Sequence, residues 1–301
     1  MDYKKIISNK YTRLRILNCL GFVPDKAMLK LEYRLRIGKK LDLTEPKYFT
    51  EKLQWLKLYD RKDEYTKMVD KYEMKHFVEK NIGSQYVVPT LGCWNSFDEI
   101  DFSQLPNRFV LKCTHDSGSV MICDDKKIFD YGVAKKHFDF HIKNDEYLLG
   151  REWPYKNVPR RIIAEPKLDE TSDGNGFVIH DYKFFCFDGV PKVMYISNDR
   201  GVNPRTDFFD MEFNHLPIHM KDPNSDILPE KPIMFEKMKK LAMILSKGIP
   251  HLRVDFYVIK DKIYVGELTF FHNSGFVSVQ PEEWDLQMGE WIQLPSRSRL
   301  S

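Results

Sequence analysis

Leu252-Arg253-Val254-Asp255-Phe256-Tyr257-Val258-Ile259 and Lys262-Ile263-Tyr264-Val265-Gly266-Glu267-Leu268-Thr269 are two β-branched and aromatic runs separated by Lys260-Asp261. That pattern predicts two strands joined by a tight reversal at Lys260-Asp261-Lys262. Strand period two puts Arg253 and Asp255 on one face, and Glu267 and Thr269 on one face of the partner. Asp255 and Glu267 then come near each other across the hairpin. Two such carboxylates repel unless a cation joins them. Hard oxygen ligands held this way suit Mg²⁺ bound together with nucleotide phosphates. Arg253 beside them can stabilise charge developing on a transferring phosphoryl or acyl oxygen. The plainer alternative is Arg253 salt-bridged to Glu267 on an exposed sheet.

Working outward, the middle of the chain is β-rich. RFVLKCTH, SVMIC, RRIIAEPKL, FVIHDYKFFCFDG and VPKVMYIS read as strands, with a hairpin turn at Phe187-Asp188-Gly189-Val190. One clear helix is expected over 232–247, stopped by Gly248. Upstream, Thr50 followed by Glu51, Leu53, Trp55, Leu56 and Leu58 reads as a capped apolar helix. TKMVDKYEMKHFVEKN carries Met68, Val69, Tyr72, Phe77 and Val78 at helical spacing, and YVVPTLG reads as a short strand. Antiparallel strand groups with helices between them make an α+β fold. A Rossmann reading fails, because no strand leads into G-x-G-x-x-G.

Composition narrows the function. Lys+Arg is 47 and Asp+Glu is 44 in 301 residues, so a protein that blankets phosphates of nucleic acid is excluded. The five cysteines lie far apart without C-x-x-C, which argues against disulfides or a thiolate zinc site and points to the cytoplasm. No apolar run is long enough to cross a bilayer. Charge is uneven: residues 1–40 hold eleven Lys/Arg against three Asp/Glu. With Ile6, Ile7, Leu14, Ile16, Leu17 and Leu20 at helical spacing, this segment reads as a helix packed on the body, or as a peripheral contact with an anionic membrane. P-loop, nucleophile-elbow and H-E-x-x-H motifs are absent. His137 and His141 have i, i+4 spacing, for which a structural role outweighs zinc binding. No D-x-D is present, which weighs against a metal-dependent nucleotide-sugar glycosyltransferase.

Three further segments carry chemistry. Phe109-Val110-Leu111-Lys112 leads into Thr114-His115-Asp116-Ser117-Gly118-Ser119: a strand ending in a point charge, then a small-residue loop whose N–H groups can approach phosphate. Arg161-Ile162-Ile163-Ala164-Glu165-Pro166-Lys167-Leu168 is an apolar strand ending in an acceptor and a cation. Lys183 lies in an alternating strand, on the face opposite Tyr182 and Phe184.

The order of these segments resembles the ATP-grasp enzymes. More narrowly, EKLQWLKLYDR, VDKYE, FVLKCTHDSGS, REWPY, DYKFFCFDG and RVDFY…GELTF resemble the TupA-like ATP-grasp family, over roughly residues 40–290. That family occurs in bacterial surface polysaccharide and teichuronopeptide synthesis, and some members are labelled glycosyltransferases. The resemblance implies an ATP-grasp fold with a basic helical extension (1–65), a body (66–290, lid-bearing to 160 and larger sheet from 161) and a flexible tail (291–301). It implies ATP and Mg²⁺ as cofactors. Lys71 and Lys112 would contact phosphates, under a mobile loop of Ser117, Gly118 and Ser119. Glu165, Lys167 and Leu168 would line the adenine hinge, with Asp169 or Glu170 at the ribose. Lys183 and Arg253 would act at the reacting groups, and Asp255, Glu267 and Thr269 would hold the metal. The implied reaction joins a carboxylate, such as a uronic acid of a surface glycan, to an amine through an acyl phosphate. The alternatives are a capsule or lipopolysaccharide glycosyltransferase, and a membrane-docked binding module without catalysis.

Overall fold

Five helices precede the sheets in the computed structural model, which describes residues 10–168, 181–198, 204–259 and 261–296. They are α1 (Lys10–Cys19), α2 (Asp25–Arg36), α3 (Phe49–Tyr59), α4 (Asp63–Val69) and α5 (Glu73–Ile82). Thr50 does not cap α3. It lies inside the helix, where its N–H and hydroxyl both donate to the Asp285 carboxylate at 3.0 and 2.9 Å. Glu51 does the capping, accepting from the N–H groups of Lys47 and Tyr48. The run from Thr66 to Asn81 is two helices rather than one. Asp70 leaves helical geometry, and its Oδ1 accepts from the N–H groups of Tyr72 and Glu73 at 2.8 and 3.4 Å.

The first sheet holds β1 (Gly92–Trp94), β2 (Phe109–Cys113), β3 (Met121–Cys123) and β4 (Ile162–Pro166), in the order β1-β4-β2-β3 and all antiparallel. The expected YVVPTLG strand starts later than predicted. Ser84–Tyr86 is a 3-10 turn, Pro89 has no N–H for a ladder, and pairing begins at Leu91 and Gly92. Period two sends Phe109, Leu111, Cys113, Ile162 and Ala164 to one side. There they form a core with Ala134 and Phe138 of α6 (Tyr131–Lys143). Val110, Lys112, Ile163 and Glu165 face the other way.

The second sheet has six antiparallel strands. In chain order they are β5 (Asp181–Phe187), β6 (Val190–Asn198), β7 (Arg205–Phe209), β8 (His215–Leu216), β9 (Leu252–Ile259) and β10 (Lys262–Thr269), arranged β10-β9-β5-β6-β7-β8. β7 and β8 are not legible in the sequence. Asp207, fully buried in β7, interrupts the apolar run and accepts from the N–H of Ser225. α7 (Phe235–Leu245) covers one face through Phe235, Met238, Ala242 and Leu245, stacked over Phe184, Val254 and Phe256. On the other face, Phe185, Phe187 and His251 form an aromatic plug against Phe49 of α3. Beyond the plug that same face becomes charged at Lys183, Arg253 and Asp255.

Two boundary expectations change. Phe49, Leu53, Trp55 and Leu56 belong to the main core, so the body does not begin at 66. α8 (Glu282–Trp291) runs into the supposed tail, and Ile292 is fully buried with its carbonyl accepting from Lys52 Nζ at 2.9 Å. Residues 297–301, Asp169, Glu170, Ile6 and Ile7 lie outside the described residues. Among the described residues no helix is long and apolar enough to cross a membrane. All five cysteines are free thiols.

His251 gives the first prediction. Burial pushes its imidazole down to about 3; its Nδ1–H donates to the Cys186 carbonyl, and Nε2 has no hydrogen-bond partner among the described residues. The unfolded chain therefore takes up a proton below about pH 6.5 that the folded chain refuses, so stability falls as pH falls. From pH 7 to 5 this contributes a loss of about 2 kcal/mol. His251→Phe should remove that part of the pH dependence in urea titrations at the two pH values. An unchanged slope would contradict it.

Candidate active site

The β9–β10 ladder carries a shift that matters for the chemistry. Lys262 pairs with Ile259 and Val265 with Phe256, so a regular continuation would set Asp255 against Gly266 and leave Glu267 on the opposite face. A bulge between Val265 and Glu267 inserts one residue and brings Glu267 directly opposite Asp255. The extra residue is Gly266, where a Cβ would sit 2.7 Å from the Tyr257 ring. On the other side of β9, Lys183 pairs with Asp255. Lys183, Asp255 and Glu267 thus form one row across three strands, with Arg253 and Thr269 as the next pair.

The cation that joins the two carboxylates is Arg253. Its Nε and Nη2 each donate to Asp255 at 2.7 Å, and Nη2 also reaches Thr269 Oγ1 at 3.0 Å and Glu267 Oε2 at 3.4 Å. The Lys183 ammonium donates to Asp255 and lies 3.0 Å from Asp181. Burial alone would raise the Asp255 carboxyl, but Arg253 and Lys183 outweigh it and hold it at about 2. The fourth Arg253 contact is His272 Nδ1 at 2.6 Å. A guanidinium only donates, so Nδ1 accepts and the proton of this neutral imidazole sits on Nε2. Burial and Arg253 hold His272 well below its ordinary pKa, in agreement. Nε2–H faces the Asn273 amide at 2.9 Å, which therefore presents its oxygen. Asn273, Ser274 and Gly275 are successive left-handed residues, at φ 50°, 56° and 60°.

The outward face of the first sheet holds a second cluster. Glu165 is gripped by Lys112 and Lys75, each at 2.7 Å. Burial would raise Glu165; the two ammonium groups outweigh it and hold it below the ordinary carboxylate range. Lys75, which the sequence did not single out, also donates to the Val88 carbonyl and Thr90 Oγ1 at 2.9 and 2.6 Å. Lys167 stands apart from this cluster, paired with Asp124, and Leu168 is half-buried at the end of the segment.

Lys71 docks on the 114–119 loop, its N–H donating to the Thr114 carbonyl at 3.0 Å and its ammonium to that of Asp116. Ser119 is turned inward rather than toward ligand. Its hydroxyl donates to Asp116 at 2.5 Å and accepts from the Cys113 N–H, and only 1% of the residue is exposed. His141 closes the same knot on Asp116, whose carboxyl stays at about 2 despite burial because of His141, Lys71 and Ser119. His141 is therefore structural, and His137 packs on it at 4.5 Å between ring centroids. Ser117 and Gly118 are exposed, and Gly118 has φ 105°.

Ser117 brings the two sheets to one space. With Arg253, Glu267, Thr269, Asn273 and Ser274 it lines a cavity of about 410 Å³, whose remaining wall includes Glu146, Glu152 and Tyr155. Glu267 and Arg253 of the large sheet and Ser117 of the small-sheet loop thus face one concave site.

The TupA-like ATP-grasp family model matches residues 51–293. The chain belongs to that family. Solved ATP-grasp ligases resemble it distantly. D-alanine–D-alanine ligase from Helicobacter pylori is 12% identical over 76% of this chain and 59% of its own, with a TM-score of 0.43. The ADP complex of N5-carboxyaminoimidazole ribonucleotide synthetase is 13% identical over 80% and 56%, with a TM-score of 0.43. The ligase PsnB with minimal precursor, Mg and ADP is 10% identical over 73% and 57%, with a TM-score of 0.38. The chain spans under two thirds of the length of each. No curated protein matches it significantly.

Within an ATP-grasp frame, the donor chemistry fits a magnesium ion carried by nucleotide phosphates. Asp255 and Glu267 stand opposite each other; both Asp255 oxygens are bonded to Arg253 and Lys183, whereas Glu267 makes one long contact among the described residues and is the freer ligand. A resident metal fits less well. Among the described residues no group of three His, Cys, Asp or Glu could hold one, and Thr269 Oγ1 already accepts from Arg253.

Proposed function

We propose that this chain is an ATP- and Mg²⁺-dependent carboxylate–amine ligase working through an acyl phosphate. The observation that carries the reading is that Glu267 and Arg253, at the open end of the Lys183–Asp255–Glu267 row, share one cavity with Ser117 of the small-sheet loop. Lys71 and Lys112 of the small-sheet side would contact the triphosphate, with the carboxylate row on the large-sheet side. Exposed Ser117 and Gly118 cover it from above. Glu165 holds the Lys112 ammonium in place on the outward face of the first sheet, and Lys75 anchors Glu165 in turn. Asp255 and Glu267 would hold the magnesium ion that ATP carries, whose charge would offset that on the phosphoryl oxygens.

The substrate carboxylate attacks the γ-phosphorus, and ADP leaves. Arg253, fixed by Asp255 and His272, stabilises charge on the acyl phosphate oxygens. An amine then attacks the acyl carbon and phosphate departs. No covalent nucleophile from the protein is needed; positioning and charge neutralisation supply the rate. Kinship with the TupA-like family supports a uronic acid of a surface polysaccharide or its precursor as the carboxylate, and an amino acid as the amine.

Hydroxylamine trapping tests the reaction class. With Mg-ATP, a uronic acid such as galacturonate and hydroxylamine, the protein should form ADP and a hydroxamate in equal amounts. Consumption of a nucleotide-sugar without ADP formation would sink the ligase reading.

A further inference from the structure

REWPY, residues 151–155, is the one segment of the family pattern left without a role above. Its residues divide their work. Arg151, 1% exposed, donates to the carbonyls of Leu20 and Val23 at 2.9 and 3.2 Å and lies 3.3 Å from Asp25, so it fixes the α1–α2 turn against the body. Pro154 is buried. Glu152 and Tyr155 turn to the cavity beside Arg253 and Glu267.

Glu152 is held firmly. Ser274 donates to its Oε1 at 2.5 Å, and a Cβ at Gly150 would come within 3.2 Å of the same oxygen. Behind it lies Lys57, whose ammonium donates to the Gly150 and Ser274 carbonyls at 2.7 Å each. With Glu267 assigned to the metal, the cavity keeps two carboxylates, Glu146 and Glu152, against Arg13 and Arg253. The Arg253 charge is already matched by Asp255. A ligand carrying positive charge suits the side of the cavity formed by Glu146 and Glu152.

We propose that this cavity is the subsite for the amine substrate, which enters as an ammonium, and that Glu152 is the general base that deprotonates it. The inference rests on the ligase reading. Glu152 takes one proton from R–NH3⁺. The freed nitrogen lone pair attacks the acyl carbon, and the carbon–oxygen bond to phosphate breaks. The electron pair goes to the departing phosphate, which takes the second N–H proton and leaves as hydrogen phosphate. Burial raises the Glu152 carboxyl, with Lys57 opposing it, and a raised carboxyl is a better proton acceptor. Ser274, in its left-handed turn, positions the accepting oxygen.

Two nucleophiles separate base catalysis from mere structure. Hydroxylamine is largely neutral near pH 7 and needs no base to become nucleophilic, whereas glycinamide is largely cationic. Both are assayed with Mg-ATP and galacturonate, on wild type and Glu152→Gln. The substitution should lower the glycinamide-dependent rate about a hundredfold more than the hydroxylamine-dependent rate. Raising the pH should narrow the gap, because the amine then arrives deprotonated. Equal losses with both nucleophiles, or no loss with either, would overturn the assignment of Glu152 while leaving the ligase reading standing. A wild-type protein that makes no hydroxamate removes the ligase reading and this inference with it.

Discussion

Asp255→Asn is expected to lose both turnover and stability. The carboxylate is 3% exposed and takes two guanidinium bonds from Arg253 and one ammonium bond from Lys183. Asparagine keeps the shape but removes the charge, leaving two buried cations to repel each other. Breaking a buried ion pair from one side costs about 3–5 kcal/mol. On sequence alone this substitution looks like a clean catalytic knock-out; the structure makes it a structural lesion as well. Glu267→Gln is the cleaner partner experiment. Its side chain is 37% exposed and touches Arg253 only at 3.4 Å. Turnover should fall about 10²–10³-fold, the scale for losing one preorganised electrostatic group, with stability within about 0.5 kcal/mol of wild type. Chemical denaturation and hydroxamate formation on both variants check the pair. Full activity in Glu267→Gln would remove the carboxylate row from the mechanism.

Lys57→Met should be the most destabilising change outside the charged row. Lys57 is fully buried and donates to Gln54 Oε1, the Gly150 carbonyl and the Ser274 carbonyl at 2.9, 2.7 and 2.7 Å. It also sits over the Phe276 ring at 4.4 Å. Burial pushes its pKa down to about 7, yet three acceptors require three N–H bonds, which only the ammonium has. The geometry decides for the charged form. Methionine fills the volume but strips the donors from buried carbonyls and removes the cation beside Glu152. The expected cost is about 3–5 kcal/mol, visible as a melting temperature lower by roughly 5–8 °C for a chain of this size. A loss below about 1 kcal/mol would show that the carbonyls find other donors. Because Lys57 holds the turn that carries Asn273 and Ser274, the amine-dependent rate should fall together with stability.

Part of this site was legible before folding. Period two placed Arg253 with Asp255 and Glu267 with Thr269, and apolar runs separated by turns gave the two antiparallel groups. What brought Glu267 opposite Asp255, however, was the bulge at Gly266, and a single glycine in a strand does not announce one. Lys75 was hidden because a lysine on an amphipathic helix reads as solvated; its partner Glu165 lies 90 residues further along the chain. Lys57 was hidden for the same reason, in an apolar helix whose cation should have faced water. Ser119 went the other way. A loop serine reads as a ligand for phosphate, but Asp116 and the Cys113 N–H claim its hydroxyl. Buried polar partners are long-range facts, separated by 235 residues for Thr50 and Asp285, and local patterns do not encode them.

The central claim is that Mg-ATP binds between the two sheets and is activated there. Thermal unfolding with Mg-ATP, and separately with a panel of nucleotide-sugars, tests it most directly. A ligand that binds only the folded chain adds about 2.7 kcal/mol at a hundredfold excess over its Kd. Mg-ATP should stabilise wild type by that order, and Lys112→Ala and Glu267→Gln should lose most of the shift. Stabilisation by a nucleotide-sugar with none by Mg-ATP would contradict the account and make this protein a glycosyltransferase.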